Sequence, residues 1–301
     1  MRSGALVGSI QARTRLISVD DLAKYGMPFV SDARVFLQRA YREHFAMPSF
    51  NVCSLEMARG CIEAAQLERA PILIQTGPTD LEQGSPAVMR AMIAALANEV
   101  DVPIMLHLDH GQDLERVTQA LRAGYSSVMF DGEAFPGDEN IALTKQVSLV
   151  AHAAGVSLEA AAGSFGGGET ETGHFELTDP DLAARLHREG QADMIACSVG
   201  SLHGQSSSLD LDRLRAIAKA ASCPLVLHGG TGIPADDIAG ALEFGVVKVN
   251  IGYGLLRSLL KVWREDSPTE KMHYPVFEKA RAGVTEIARE KIRIVGASGK
   301  A

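Results

Sequence analysis

Short apolar runs alternate with longer amphipathic stretches along most of the chain. The sequence contains eight such runs, at residues 47–52, 71–76, 103–109, 126–132, 156–163, 193–200, 224–230 and 246–252. Each is nearly continuous in apolar residues, which is typical of strands in a parallel sheet covered on both faces. The pattern therefore predicts eight parallel β-strands.

The stretches between these runs predict helices. Apolar residues recur at helical spacing in residues 54–69, 113–124, 139–155, 179–190 and 211–221. Several of these stretches begin with Ser or Asp and end with Gly, as capped helices do. Eight strand and helix units favour an α/β fold of the closed (β/α)8 TIM barrel type over an open doubly wound sheet. We predict a single barrel domain over residues 1–301, with a variable lead-in of about 30 to 40 residues at its start.

Composition agrees with this fold and limits the classes of binding partner. The chain has 301 residues, 46% of them hydrophobic, which leaves room for a barrel of roughly 250 residues. A net charge of −8 with scattered Lys and Arg predicts no nucleic-acid partner. Neither a long apolar span nor a signal-peptide core is evident, so we predict a cytoplasmic protein with no membrane partner. The four cysteines form no CxxC pair, which predicts reduced thiols.

Polar side chains collect where the predicted strands end. They are Asp109 and His110 after the third strand, Asp131 after the fourth, His203 after the sixth, His228 after the seventh and Asn250 near the end of the eighth. Active sites of TIM barrels lie at this face, so the pattern predicts a site. His107, two positions inside its strand, is interpreted as structural, and no role is assigned to His44, His152, His174, His187 and His273.

Three of these histidines together match the ligand set of a metal site. His110, His203 and His228 come from separate strands, and each is followed by glycine. Three neutral imidazoles with open positions are the usual protein half of a catalytic zinc site. Such widely separated histidines carry no local signature, so spacing alone leaves metal binding and structural roles equally open.

Seven motifs in order carry a family resemblance. They are "LHLDHG", "SVMFDG", "VSLEA" leading to a "GG" loop, "GSLHG", "LHGGTGIP", "GVVKVNIG" and the closing "GASGKA". From about Phe50 to the C-terminus the chain resembles the class II, zinc-dependent fructose-bisphosphate and tagatose-bisphosphate aldolases.

The resemblance implies cleavage of a ketose through a zinc-stabilised enolate. Zn²⁺ or a similar divalent metal is held by His110, His203 and His228, while Asp109 carries the proton during C–C cleavage. Glu169, in the irregular segment 163–181, handles the proton at the enolate carbon, with Glu171 as a neighbouring alternative. The implied substrate-binding residues are Asn51, Gly204, Gly229, Gly230, Thr231, Asn250 and Tyr253. A monovalent cation, a ketose or aldehyde ligand and a homodimer or homotetramer also follow from the resemblance.

The chain departs from the family pattern around this centre. Tyr253 stands where the family has a phosphate-binding threonine, and Gln205 to Ser208 replace a Tyr–Lys pair. Glu159 is kept, but Ala161 replaces a second glutamate that can bind the metal, and Glu133 replaces a serine. We therefore predict a metal-dependent aldolase for a ketose bisphosphate or a related ketose. The alternatives are a lyase for a non-phosphorylated or otherwise atypical ketose, a non-catalytic sugar-binding regulator, and a metal-free barrel isomerase.

Overall fold

Eight parallel strands form a closed barrel in chain order. The computed structural model describes residues 28–165, 176–202, 204–265 and 274–301. Every strand pairs in parallel with the next, and the first pairs with the last. The strands are β1 (Met47–Asn51), β2 (Ile72–Thr76), β3 (Ile104–Gly111), β4 (Ser127–Phe130), β5 (Ser157–Ala162), β6 (Met194–Cys197), β7 (Leu225–Leu227) and β8 (Val246–Ile251). The predicted (β/α)8 barrel is confirmed.

Helices connect the strands and cover the outside of the barrel. They are α1 (Arg34–Glu43), α2 (Leu55–Glu68), α3 (Pro78–Leu81), α4 (Pro86–Ala97), α5 (Leu114–Ala123), α6 (Gly137–Ala153), α7 (Pro180–Arg188), α8 (Leu211–Ala221), α9 (Ala235–Leu242), α10 (Tyr253–Glu265) and α11 (Tyr274–Ile294). Among the described helices, none is long and apolar enough to cross a bilayer.

Local sequence signals set the helix boundaries. The Ser54 hydroxyl accepts from the Met57 amide at 3.3 Å, and the Asp113 carboxylate accepts from the Arg116 amide at 2.7 Å. Both bonds satisfy amide groups that have no partner inside the first helical turn. Gly124 ends α5 with a φ of 85°, a conformation that costs glycine little. The caps at Ser54 and Asp113 set where α2 and α5 begin, and so set the length of the loops that follow β1 and β3.

The barrel has an apolar layer outside its strands and a polar interior. Phe50, Ile74, Ile104 and Val249 belong to the core formed with the surrounding helices, and each is at most 1% exposed. The interior instead holds buried polar side chains that contact one another across strands, among them Ser49, Gln75, His107, Ser127, Ser157, Glu159 and Lys248. Charged and amide groups therefore lead from the middle of the barrel up to its carboxyl-terminal rim.

Candidate active site

Asp109 lies at the end of β3, where three amide groups hold its carboxylate. Oδ2 accepts from Asn51 Nδ2 at 2.9 Å and from Gln75 Nε2 at 3.1 Å, while Oδ1 accepts from Asn250 Nδ2 at 3.0 Å. Burial alone would raise the pKa of Asp109, which is 4% exposed, but His110, His228, Lys248 and the hydrogen bond from Asn51 hold the pKa well below its usual range. The carboxylate is therefore ionised and fixed in orientation.

His110 follows Asp109 directly and turns away from the strand direction. Its φ is 49°, and the pairing of β3 with β4 shifts register between Leu108 and Gly111. Its Nδ1 lies 2.5 Å from Asp131 Oδ2, at the end of β4. Burial lowers the pKa of His110, but Asp109 and Asp131 together raise it to about 9. Because Asp131 holds Nδ1, a metal would bind Nε2 and displace the proton that the ring carries at this pKa.

His228, just after β7, is anchored in the same manner. Its Nε2 lies 3.1 Å from Glu159 Oε1 and 3.1 Å from Asn250 Nδ2. Burial lowers the pKa of His228, so the ring is neutral, the state in which imidazole binds metals. A metal would use its Nδ1. The His110 and His228 rings meet edge to face, with centroids 4.9 Å apart.

The donor set fits a divalent metal. Asp109, His110 and His228 each offer one ligand atom, and these atoms lie within 4.8 Å of one another. Both histidines use their other ring nitrogen on a carboxylate, an arrangement that orients metal-binding imidazoles. His203 lies outside the described residues, between Leu202 and Gly204. The three-histidine ligand set therefore stays a prediction, of which two members converge.

A buried ion pair supports this centre from inside the barrel. Lys248 Nζ on β8 donates to Glu159 Oε2 at 2.9 Å and to Asn250 Oδ1 at 2.6 Å, and neither the Lys248 nor the Glu159 side chain is exposed. The bond to Oδ1 sets the Asn250 amide so that Nδ2 faces Asp109 and His228. Sequence reasoning missed Lys248, although a lysine inside the apolar run "VVKVNIG" is a visible signal.

Replacing that lysine is expected to destabilise the protein. Lys248→Met leaves the Glu159 carboxylate buried without its cation, and we expect a loss of about 3 to 5 kcal/mol in the free energy of unfolding. Urea denaturation of the metal-free protein measures this loss. The matched control is Lys219→Met on exposed α8, for which we expect a change within about 0.5 kcal/mol. Equal stability of the two variants would mean that the pair adds nothing to the fold.

His107, interpreted from the sequence as structural, lies inside the barrel. It is fully buried, its Nδ1 lies 2.9 Å from Ser127 Oγ, and burial lowers its pKa to about 3.

Gln75 and Asp80 are further residues that sequence reasoning missed. Gln75 is a lone amide in the run "PILIQT", whereas Asp80 follows β2 on the one-turn helix α3 and has no sequence signal.

Phe165 lies over the two histidines at the start of the irregular segment after β5. Its ring stacks on the His228 ring with centroids 4.5 Å apart, and it meets His110 edge to face at 6.1 Å. Its backbone amide donates to Glu133 Oε2 at 3.3 Å. The predicted acid Glu169 and its alternative Glu171 lie outside the described residues.

The predicted phosphate-binding residues gather at the ends of β6, β7 and β8. Gly229 has a φ of 73°, and a Cβ on Gly204 would lie 3.0 Å from the Tyr253 ring and 3.0 Å from Arg257 Nη2. Arg257, one turn into α10, also donates to the Gly204 carbonyl. The Thr231 hydroxyl accepts from the Gly254 amide at 3.1 Å. This corner thus combines glycine backbone, the start of α10 and one guanidinium.

Comparison with known proteins agrees with this geometry. The family model described as "Fructose-bisphosphate aldolase class-II" matches residues 31–300. The 6-phospho-5-dehydro-2-deoxy-D-gluconate aldolase of Bacillus licheniformis is 37% identical over 91% of this chain and 97% of its own, and the sulfofructosephosphate aldolase of Alkalicoccus urumqiensis is 31% identical over 91% and 99%. The crystal structure of the YdjI aldolase from Escherichia coli K12 superposes with a TM-score of 0.81 at 32% identity, covering 90% of this chain and 98% of that one. The chain belongs to the class-II fructose-bisphosphate aldolase family and is an aldehyde-lyase.

Proposed function

We propose that this protein cleaves a phosphorylated ketose by a retro-aldol reaction that depends on a divalent metal, zinc in the first instance. The observation that carries the proposal is the ionised Asp109 carboxylate, held by three amides directly beside His110 and His228. His110, His203 and His228 would hold the metal. When bound, a divalent metal supplies Lewis acidity that polarises a carbonyl and stabilises negative charge on its oxygen.

Asp109 is proposed to take the proton that starts cleavage. The proton comes from the hydroxyl on the aldehyde side of the bond that breaks, and a new C=O forms at that carbon. The electron pair of the broken C–C bond stays with the ketose-derived half as an enolate. Because Asn51, Gln75 and Asn250 fix both oxygens of Asp109, the carboxylate needs no reorientation to accept the proton.

A second acid is needed to return a proton to the enolate carbon. Glu169 is our proposal for this acid, with Glu171 as the alternative, because both lie in the segment that begins at Phe165 over the histidines. Phe165 is 6% exposed and covers the His228 ring, so its position favours exclusion of water from the centre.

Two observations support a phosphate group on the enolate-forming half of the substrate. Two of the relatives carry "phospho" or "phosphate" in the names of their substrates. In this chain, the corner at the ends of β6 to β8 offers the start of α10 and the Arg257 guanidinium. We propose that this corner binds the phosphate group of the enolate-forming half, which corresponds to dihydroxyacetone phosphate.

An unphosphorylated ketose is the second candidate, favoured by the Tyr253 ring against Gly204. On that account the ring fills volume that a phosphate needs, and Tyr253→Thr is expected to raise kcat/KM for phosphorylated relative to unphosphorylated ketoses by about tenfold. Paired assays on fructose 1-phosphate and fructose measure the ratio. Tyr41→Phe, on α1 at the opposite end of the barrel, is the control. Tight dihydroxyacetone phosphate binding by the unmodified protein, with no gain in the variant, would indicate an ordinary ketose-phosphate aldolase instead.

A substrate panel tests the proposed reaction. Protein stripped of metal and reloaded with Zn²⁺ is assayed for aldehyde release from phosphorylated and unphosphorylated ketoses. We expect cleavage of at least one phosphorylated ketose that disappears after chelation and returns on reloading. Cleavage that is indifferent to chelation would contradict the metal-dependent mechanism.

We propose a homodimer or homotetramer, as the family resemblance implies, and a cytoplasmic location. The four cysteines are free thiols, three of them buried, which supports a reducing compartment. Light scattering of the purified protein would test the assembly.

A further inference from the structure

Asp80 lies beside the proposed base and has no role in the mechanism above. It is on α3, directly after β2, where its Oδ2 accepts from the Gly77 amide at 2.8 Å and from Asn51 Nδ2 at 3.4 Å. The same Asn51 nitrogen donates to Asp109 Oδ2 at 2.9 Å. One amide group therefore joins the two carboxylates, and Asp80 belongs to the wall of the site.

Gly77, which has no side chain, lies beside both carboxylates. A Cβ on Gly77 would lie 3.7 Å from Asp80 Oδ2 and 3.8 Å from Asp109 Oδ2. Oδ1 of Asp80 accepts no hydrogen bond from any residue that the structure describes. This oxygen is therefore available to a ligand that reaches past Asp109 toward β2.

Charges divide the rim of the barrel into two halves. Carboxylates follow β2, β3 and β4 in turn, namely Asp80, Asp109, Asp131 and Glu133. Two cations lie on the other side: Arg257 donates to the Gly204 carbonyl, and Lys291 Nζ donates to the Thr231 carbonyl at 3.0 Å. A phosphate is favoured at the β6 to β8 side and disfavoured at the β2 to β4 side.

This division orients the substrate, given the proposed function on which the inference rests. The enolate-forming half takes the corner at β6 to β8, and Asp109 takes the proton of the hydroxyl on the first carbon of the other half. The aldehyde half must then extend from Asp109 away from that corner, toward β2 and Asp80.

We infer that Asp80 is a specificity-determining residue, which accepts hydrogen bonds from the hydroxyl groups of an uncharged hydroxyaldehyde and excludes aldehydes that carry a phosphate or carboxylate. A carboxylate accepts from two hydroxyls at once, which suits a polyol. Burial raises the pKa of Asp80 to about 6, so the group still carries its charge at pH 8. An anion placed here would face Asp80 and Asp109 together, at a partly buried site where water screens charge poorly.

The test compares two aldehydes that differ in charge. Condensation with dihydroxyacetone phosphate is measured at pH 8 for glyceraldehyde and for glyceraldehyde 3-phosphate, in the wild type and in Asp80→Asn. We expect the wild type to favour glyceraldehyde in kcat/KM by about tenfold or more, and the variant to lose about tenfold of that preference. Asn can still accept from the Gly77 amide, so the turn at α3 is preserved.

A second capping aspartate provides the matched control. Asp113 accepts from the Arg116 amide as Asp80 accepts from the Gly77 amide, but it caps exposed α5. Asp113→Asn should leave the aldehyde ratio unchanged. An unchanged ratio in Asp80→Asn, or a wild type that favours glyceraldehyde 3-phosphate, overturns the inference.

Proton exchange separates failure of this inference from failure of the proposed function. Exchange of the proton at the hydroxymethyl carbon of dihydroxyacetone phosphate with D2O needs only the enolate-forming half of the substrate. Normal exchange in Asp80→Asn, together with a shifted aldehyde ratio, supports the inference. Exchange without a shifted ratio overturns the role of Asp80, and no exchange in the wild type overturns the proposed function and the inference with it.

Discussion

Asp109→Asn is expected to lower kcat for ketose cleavage by about 10³-fold while the bound metal is retained. The variant keeps His110 and His228, but its side chain has no negative charge and accepts through one oxygen only. One of the three amide donors on Asp109 would then face an NH2 group, so the local network also loses a bond. Steady-state kinetics and metal analysis of the same preparation measure both effects.

An exposed aspartate serves as the control for Asp109. Asp210→Asn changes a carboxylate that caps α8 through the Arg213 amide. We expect its kcat within about twofold of the wild type. Normal turnover by Asp109→Asn would mean that another group takes the hydroxyl proton.

His228→Ala is expected to remove bound metal and activity together. The substitution deletes one ligand and leaves the Glu159 carboxylate without the ring that it orients. Loss of an orienting partner alone typically costs 10- to 100-fold in metal affinity, so we expect loss of the ligand to cost more than about 100-fold. The same result is expected for His110→Ala and, if the predicted ligand set is right, for His203→Ala. Metal per chain after dialysis and kcat/KM are the readouts.

A histidine outside the site controls for general effects of removing an imidazole. His187 on α7 contacts the Ala192 carbonyl at 2.8 Å, and His187→Ala should bind metal as the wild type does. Full metal occupancy in all three ligand variants would contradict the site. Loss in His110→Ala and His228→Ala but not in His203→Ala would instead replace His203 by Asp109, which lies in the same cluster.

The fold was predictable because a parallel barrel has a strong sequence signal. Its strands are covered by helices, so they appear as apolar runs, and all eight predicted runs coincide with strands. Helix starts were predictable where a capping side chain is present, as at Ser54 and Asp113. The start of α6 at Gly137, two residues before the predicted stretch, was not, because Pro136 precedes it without a side-chain cap.

The rim was more predictable than the interior beneath it. Asp109, His110 and His228 follow strands, and strand order alone brings strand ends together. The roles of Gln75 and Lys248 depend instead on which face of each strand points inward and on the register between β1 and β8, where Ser49 pairs with Asn250. Spacing along one strand does not reveal those partners across the barrel.

Asp80 shows a different limit of sequence reasoning. Its position depends on the one-turn helix α3, which the apolar pattern does not register, and its contact with Asn51 spans two strands. Helix periodicity needs several turns before it becomes visible. Asp80, the residue proposed to set aldehyde choice, is thus one that a pattern search does not detect.

The non-catalytic regulator and the metal-free isomerase are less well supported than an aldolase. Sugar binding alone does not require an ionised carboxylate that accepts three hydrogen bonds, nor two neighbouring histidines that each contact a carboxylate. Family membership agrees with the aldolase.

Proton exchange on the enolate-forming half tests the central claim most directly, since it requires no knowledge of the aldehyde. Metal-loaded protein is incubated in D2O with dihydroxyacetone phosphate, and in parallel with dihydroxyacetone, while NMR follows the proton at the hydroxymethyl carbon. The account predicts enzyme-dependent exchange with dihydroxyacetone phosphate that stops on chelation and resumes when Zn²⁺ is restored. Absence of exchange from both compounds at full metal occupancy, or exchange that persists after the metal is removed, would contradict it.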